Sequence, residues 1–193
     1  MLLRTLQFVP AIVFVVSCGK NAETNSSTPI TEASYAGTWE GACGAVDGIY
    51  AKTVMTIAAD KTVKQSSIQY SDSTCTTERY RADLYSTLAI TGEVSATVKK
   101  VDFTASEFKI KFATDELTQT ANTNKNCGYS NWVKNVEQSC LGKAVNGSGE
   151  PEITSGKKIY NVFSVDGSKL YVGTETTSEA QRPTTVTSVY SKK

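Results

Sequence analysis

Histidine is absent from the 193-residue chain. That absence removes Ser-His-Asp and Cys-His nucleophile systems and every His-based zinc or iron site. Also missing are a Gly-rich phosphate loop, a dinucleotide fingerprint and a C-x-x-C pair. Neither sign of charge dominates: 20 Lys and Arg stand against 19 Asp and Glu, interspersed, for a formal +1. Such a balance offers no electrostatic footprint for nucleic acid. No apolar run approaches the ~20 residues that a membrane-spanning helix needs. Carboxylates occur close together at Asp115-Glu116 and at Glu150 with Glu152. Spacing alone does not make either a glycosidase pair, which requires two carboxyls held about 5 to 9 Å apart in one cleft. The chain therefore reads as a binding or structural protein rather than an enzyme, with no catalytic residue, cofactor or metal assigned.

What is present begins with a layout for export. Residues 1–17 combine one early cation, Arg4, with an apolar stretch from Phe8 to Val16, the pattern of a secretory signal peptide. The stretch ends in Val15-Val16-Ser17-Cys18-Gly19, which resembles the bacterial lipobox. The resemblance implies cleavage before Cys18 and diacylation of its thiol, with an acyl chain such as palmitate on the new amino group. Two or three acyl chains meet the two-signal requirement for stable anchoring, at about 0.8 kcal/mol per buried methylene. The expected location is the bacterial cell envelope, lipid-anchored. Gly19 is not the aspartate that resembles an inner-membrane retention signal, so outer-membrane placement follows by analogy. Loss of Arg4 with the signal leaves 19 cations and 19 anions. Residues 18–34, almost free of large apolar groups, are expected to form a lipidated flexible tether, leaving 35–193 as the folded domain.

With Cys18 assigned to lipid, Cys43, Cys75, Cys127 and Cys140 remain, an even number in an oxidising compartment. Four cysteines allow three pairings. Cys43 with Cys75 and Cys127 with Cys140 is preferred, because each pair is nearest in sequence and lies within one recognisable segment.

From Tyr35 onward the composition is rich in Thr, Val, Tyr, Ser and Ile, with period-2 alternation in short stretches. Phe108, Ile110 and Phe112 are expected on one buried face. Tyr80, Ala82, Leu84, Ser86, Leu88 and Ile90 repeat the pattern, opposite Arg81, Asp83 and Tyr85. Further strands are expected over 37–44, 50–58, 62–70, 97–103, 158–165, 169–174 and 184–190, with a hairpin turn at Asp166-Gly167. The fold class is all-β, an antiparallel up-and-down barrel of about 8 to 9 strands. Strands of the 9 to 11 residues that cross a bilayer are read as rare, which favours a domain on a lipid leash over a transmembrane barrel. The segment 114–149 breaks the pattern. A helical turn is expected over 115–119 and a loop over 122–126, while Trp132, Val133 and Val136 fit helix or strand spacing equally. This disulfide-clipped insertion is expected to cover one end of the barrel.

Gly37-Thr38-Trp39 resembles the G-x-W signature on the first strand of lipocalin-type barrels. The wider stretch from Gly37 to Cys43, followed by Tyr70-Ser71-Asp72-Ser73-Thr74-Cys75, resembles the repeat domain of the vertebrate membrane-anchored Wnt antagonists of the APC-down-regulated family. The likeness spans roughly residues 37–92, and Lys52 stands where that family leads one to expect arginine. It implies Trp39 as packing at the barrel end and Cys43–Cys75 as a disulfide linking strands. The functional expectation is a membrane-anchored lipoprotein that binds a small hydrophobic or amphipathic molecule or lipid in its barrel. The alternative is an envelope structural or protein-interaction module with a packed barrel. Nine tyrosines are candidates to line a cavity or to stand on the barrel surface, and Arg79-Tyr80-Arg81 and Lys99-Lys100 are candidates for a basic lip or solvated strand edges.

Overall fold

A computed structural model describes residues 32–146 and 152–193. The signal segment, Cys18, most of the tether and Glu150 lie outside these residues. The last tether positions, 32–34, belong to a 3₁₀ turn, Glu32–Tyr35, which leads into the first strand. The strands are β1 (Gly37–Glu40), β2 (Gly44–Val46), β3 (Ile49–Ile57), β4 (Thr62–Tyr70) and β5 (Glu78–Glu93). They continue with β6 (Lys99–Phe112), β7 (Glu137–Ser139), β8 (Lys158–Asp166), β9 (Lys169–Val172) and β10 (Ser188–Lys192). The helix α1 covers Asp115–Thr123.

β1 pairs with β3 on one side and β10 on the other, closing the sheet on itself. β1, β3, β4, β5, β6, β8, β9 and β10 form the barrel, each antiparallel to its neighbours in sequence, while β2 extends onto β3 and β7 onto β6. Closure leaves the barrel strands without a free edge. The expected all-β, up-and-down barrel with a disulfide-clipped insertion is therefore the fold.

Alternation along each strand divides it into an inner and an outer row. Met55 faces Gln65, Gln65 faces Leu84, and Leu84 faces Phe108, one inner layer across four strands. Outside, the corresponding row pairs Lys64 with Tyr85 and Ser66 with Asp83. The stretches 97–103 and 107–112, read as two strands, are one. Glu107 faces Tyr85 while Ala105 faces Ser86, so Ser106 is an extra residue bulging from the ladder. Its hydroxyl donates to Tyr85 O at 3.2 Å. The bulge moves the inward row from odd positions (Val101, Phe103, Ala105) to even ones (Phe108, Ile110, Phe112), and this parity change makes one strand look like two in sequence. The expected strand 37–44 stops at Glu40, with β2 following, and that over 184–190 begins only at Ser188. β3, β4 and β8 run nine residues each and β5 and β6 longer, so the length argument against a membrane-spanning barrel fails. The outer row supplies a better one: Lys52, Lys64, Arg81, Asp83, Lys109 and Lys111 lie along it with their ion-pair partners, a surface that hydrocarbon would not accept.

The two ends of the barrel differ. At one, short turns join β3 to β4, β5 to β6 and β8 to β9, and Gly167 in the last adopts φ 54°, as the Asp-Gly signal predicts. Here Tyr35, Trp39, Met55, Phe103, Phe163 and Leu170 form one buried cluster. Trp39 Nε1 donates to Tyr35 O at 2.7 Å, and the Tyr35 and Phe103 rings lie 5.8 and 5.6 Å from Phe163. The 3₁₀ turn thus lays an aromatic plug across the lumen. Every long connection emerges at the other end: 41–48, 71–77, 113–157 and 173–187.

The insertion packs as a second core on the ends of β5 and β6. Leu117, Ala121, Cys127, Trp132, Cys140 and Val145 cluster with Ile110 and Phe112. α1 is longer than the expected turn. Thr114 Oγ1 accepts from Leu117 N at 3.3 Å as its N-cap, and Asp115 and Glu116 stand in its first turn, where the helix dipole favours anions. Trp132 belongs to neither helix nor strand. Asn122 holds it, the amide Nδ2 donating to Trp132 O at 3.1 Å while Trp132 N donates back to Oδ1. Val133 and Val136, which completed the helical spacing, are 57% and 47% exposed.

Candidate functional site

The elaborated end of the barrel is shaped by two disulfides. Cys43 is joined to Cys75, tying the β1–β3 connection to the β4–β5 loop, and Cys127 to Cys140, closing the insertion. Disulfides of this kind persist in oxidising compartments outside the cytoplasm. Asp72 organises the first loop. Its carboxylate accepts from Thr74 N at 3.1 Å, Thr76 N at 3.2 Å and Thr77 N at 2.6 Å, as well as from the Thr74 hydroxyl. The Thr74 hydroxyl and then these amides hold the carboxyl far below its usual range. Behind this loop, on the barrel's outer surface, Ile68, Tyr70 and Cys75 form a small core with Tyr50 and Val54. Lys52, placed over the Tyr70 ring, pairs with Glu40, so the lysine fills an ion-pairing place.

The 173–187 connection is pinned outside β6 and β8. Arg182 donates to Asp102 Oδ1 at 2.6 Å and to the carbonyls of Val101 and Asn161, and stacks on Tyr160 with 4.8 Å to the ring centroid. Both charged side chains are nearly covered, at 7% and 8% exposure. Gly173, where this connection begins, has no room for a side chain: a Cβ would meet Pro183 Cγ and Val162 Cγ2 at 2.8 Å each.

Beyond the aromatic plug the lumen changes character. Thr53, Ser67, Gln69, Tyr80, Ala82 and Leu84 point inward by their register, yet all keep partial exposure. Between β9 and β10 the chain returns to β8 through the pair Tyr160–Thr176, beside Glu175. Burial drives the Glu175 carboxyl upward, with Gln65 opposing. Burial and then the Glu175 charge push Tyr190 up to about 12. Nearer the rim, burial raises Glu152 against the pull of Lys157, and burial together with Glu152 raises Tyr80. Glu175 and Tyr80 are enclosed by protein yet retain surface that water touches. Tyr80 and Ala82, with Phe108, also pack against the core of the insertion.

The sequence-level candidates sort accordingly. Trp39 sits at the closed end of the barrel. Of the nine tyrosines, Tyr35 and Tyr190 belong to the barrel core and Tyr80 lines its inner face, whereas Tyr50, Tyr70, Tyr85 and Tyr160 stand outside the barrel. No single basic lip exists: Arg81 pairs with Glu78 at the elaborated end, whereas Lys99 pairs with Glu93 beside the β5–β6 turn. Asp115 pairs with Lys134 at 2.9 Å. Among the described residues no group of three or more Cys, Asp or Glu side chains is placed to hold a metal ion, and no helix is long and apolar enough to cross a membrane. Sequence reading missed Glu175 altogether, since it sits in the polar run Thr174-Glu175-Thr176-Thr177-Ser178 with nothing local to mark it. Compared with known proteins, the chain matches no family model and no curated protein.

Proposed function

We propose that the protein is a lipid-anchored lipoprotein of the bacterial cell envelope whose barrel holds a small hydrophobic or amphipathic ligand. The observation that supports the binding half is a barrel sealed at one end by aromatic side chains, while inward residues toward the disulfide-clipped end, Thr53, Ser67 and Gln69 among them, stay partly exposed. Apolar walls with a few convergent polar groups are what small-molecule sites are made of. The G-x-W start, with Trp39 at the sealed end, supports the similarity to lipocalin-type barrels. The anchoring half rests on the lipobox around Cys18. Native mass spectrometry of the purified full chain, with solvent extraction of whatever accompanies it, tests the binding. A copurifying small molecule, or a rise in melting temperature with members of a lipid and small-amphiphile panel, is expected. An empty protein indifferent to the whole panel would overturn it. Cys18→Ser is expected to release the chain from the membrane fraction and to abolish labelling by palmitate.

The exposed Val133 and Val136 on the insertion favour a second reading, a module that docks an envelope protein. Cross-linking in intact cells separates the two, because a partner joined through residues 131–136 is required by the second and not by the first.

A further inference from the structure

The two disulfides sit in opposite surroundings. Cys127 and Cys140 are 1% and 0% exposed, packed among Leu117, Ala121 and Trp132 in the core of the insertion. A thiolate reaches that bond only when the insertion opens. Cys43 is exposed, in the connection between β1 and β2, whereas its partner Cys75 is 7% exposed against Ile68 and Tyr70. Cys43 Sγ stands 3.3 Å from Ser73 O, in the loop to which it is tied. In thiol–disulfide exchange a thiolate attacks one sulfur and the other leaves, so access decides which bond and which sulfur reacts. Exposed disulfides are accordingly the labile ones. The two loops that Cys43–Cys75 joins each have ties of their own. β2 pairs with β3 over Gly44–Val46, and the Asp72 carboxylate accepts from the amides of Thr74, Thr76 and Thr77. Opening this bond uncouples the loops without breaking a ladder of the barrel.

We propose that Cys43–Cys75 is a site of thiol–disulfide exchange whose reaction partner is a dithiol, and that it acts as a reducible clasp on the rim of the barrel. A thiolate of the dithiol attacks Cys43 Sγ, the bond between the two sulfurs breaks, and Cys75 leaves as a thiolate that takes up a proton. The partner's second thiol then gives up its proton and displaces Cys43 from the mixed disulfide. Two electrons and two protons pass to this chain, and the partner becomes a disulfide. The freed Cys43 thiol has Ser73 O within reach as an acceptor. The inference is independent of the ligand-binding reading, since an empty barrel would carry the same clasp.

Two thiol probes applied to the purified, folded full chain test the site. Dithiothreitol is expected to open Cys43–Cys75 at least about tenfold faster than Cys127–Cys140. The monothiol glutathione is expected to place its first mixed disulfide on Cys43. Alkylation at low conversion, followed by peptide mass spectrometry, reads both results and separates these four cysteines from Cys18. Equal rates for the two bonds, or a first adduct on Cys75, Cys127 or Cys140, overturns the proposal. Hydrogen exchange then tests the clasp. In the chain reduced at Cys43 and Cys75 alone, exchange is expected to rise over 41–48 and 71–77 while the barrel strands keep their protection. Protection lost throughout the barrel would make the bond a staple of the whole fold, and the clasp would be overturned. None of these outcomes bears on whether the barrel holds a ligand, which the amphiphile panel decides.

Discussion

The two ends of this barrel are built from the same strands by opposite means. At the plugged end the inner row is Trp, Phe, Met and Leu, the connections are short, and closure comes from one 3₁₀ turn laid over Trp39. At the other, Thr, Ser and Gln share the inner row with Phe108, Ile110 and Phe112, on which the insertion builds a second core, and the order comes also from two disulfides, a capped helix and a buried ion pair. Apolar burial supplies the driving force where side chains fill the lumen. At the elaborated end the insertion adds its own apolar core on Ile110 and Phe112, and covalent and polar ties hold the rim beside it.

The most direct way to break that division is to remove the plug. Trp39→Ala is expected to cost about 3 to 5 kcal/mol, the range for deleting a large buried aromatic. Chemical unfolding would measure it. A loss below about 1 kcal/mol would mean that the sealed end does not carry the fold. Arg182→Ala follows, because it leaves the nearly covered Asp102 carboxylate with only Lys158 at 3.6 Å and the Thr91 hydroxyl; breaking such a pair costs up to ~3 to 5 kcal/mol. The two variants are expected to differ in location: hydrogen exchange should spread through the barrel for Trp39→Ala and concentrate in 173–187 for Arg182→Ala.

The disulfides sharpen the comparison at the rim. Cys43 and Cys75 are 32 residues apart and Cys127 and Cys140 are 13 apart. Loop-closure entropy gives roughly 4 and 3 kcal/mol for the two. Replacing each pair by serine is expected to destabilise in that order and to loosen the 71–77 loop in one case and the insertion in the other. Serine pairs that leave unfolding unchanged would show that polar contacts such as the Asp72 network hold these loops alone. Smaller still is Thr114→Ala, expected to cost about 1 kcal/mol through the lost helix cap and to fray α1 without reaching the barrel.

The same contrast explains how much of the molecule can be read in its sequence. The strands are legible because period-2 alternation is a local property, and Tyr80 to Ile90 follows it without interruption on the inner face. β6 reads as two strands because the Ser106 bulge reverses the parity, and a bulge is set by the partner strand. The insertion resists reading for another reason. Trp132, Val133 and Val136 satisfy helical spacing, but Asn122 and the Cys127–Cys140 bond, both tertiary, decide the conformation. Trp39 and the four cysteines could be picked out because those residue types rarely occur without a structural role. Glu175 could not, since its significance depends on Gln65 and Tyr190, residues 110 and 15 positions away.

The smallest expected effect has the opposite sign, and it tests whether the Glu175 carboxyl is kept at a cost. Burial raises the Glu175 carboxyl above its value in the unfolded chain. The folded state therefore holds a proton that the unfolded state has released once the pH passes the ordinary glutamate value of about 4.3. Stability attached to this group is complete below that value and falls as the pH rises through the folded value. Glu175→Gln cannot release the proton, so it is expected to melt higher than the unaltered chain at about pH 7 and to match it near pH 4. Thermal melts of both chains across that interval measure the difference. A variant that gains nothing at neutral pH would mean that the folded chain already satisfies the carboxylate.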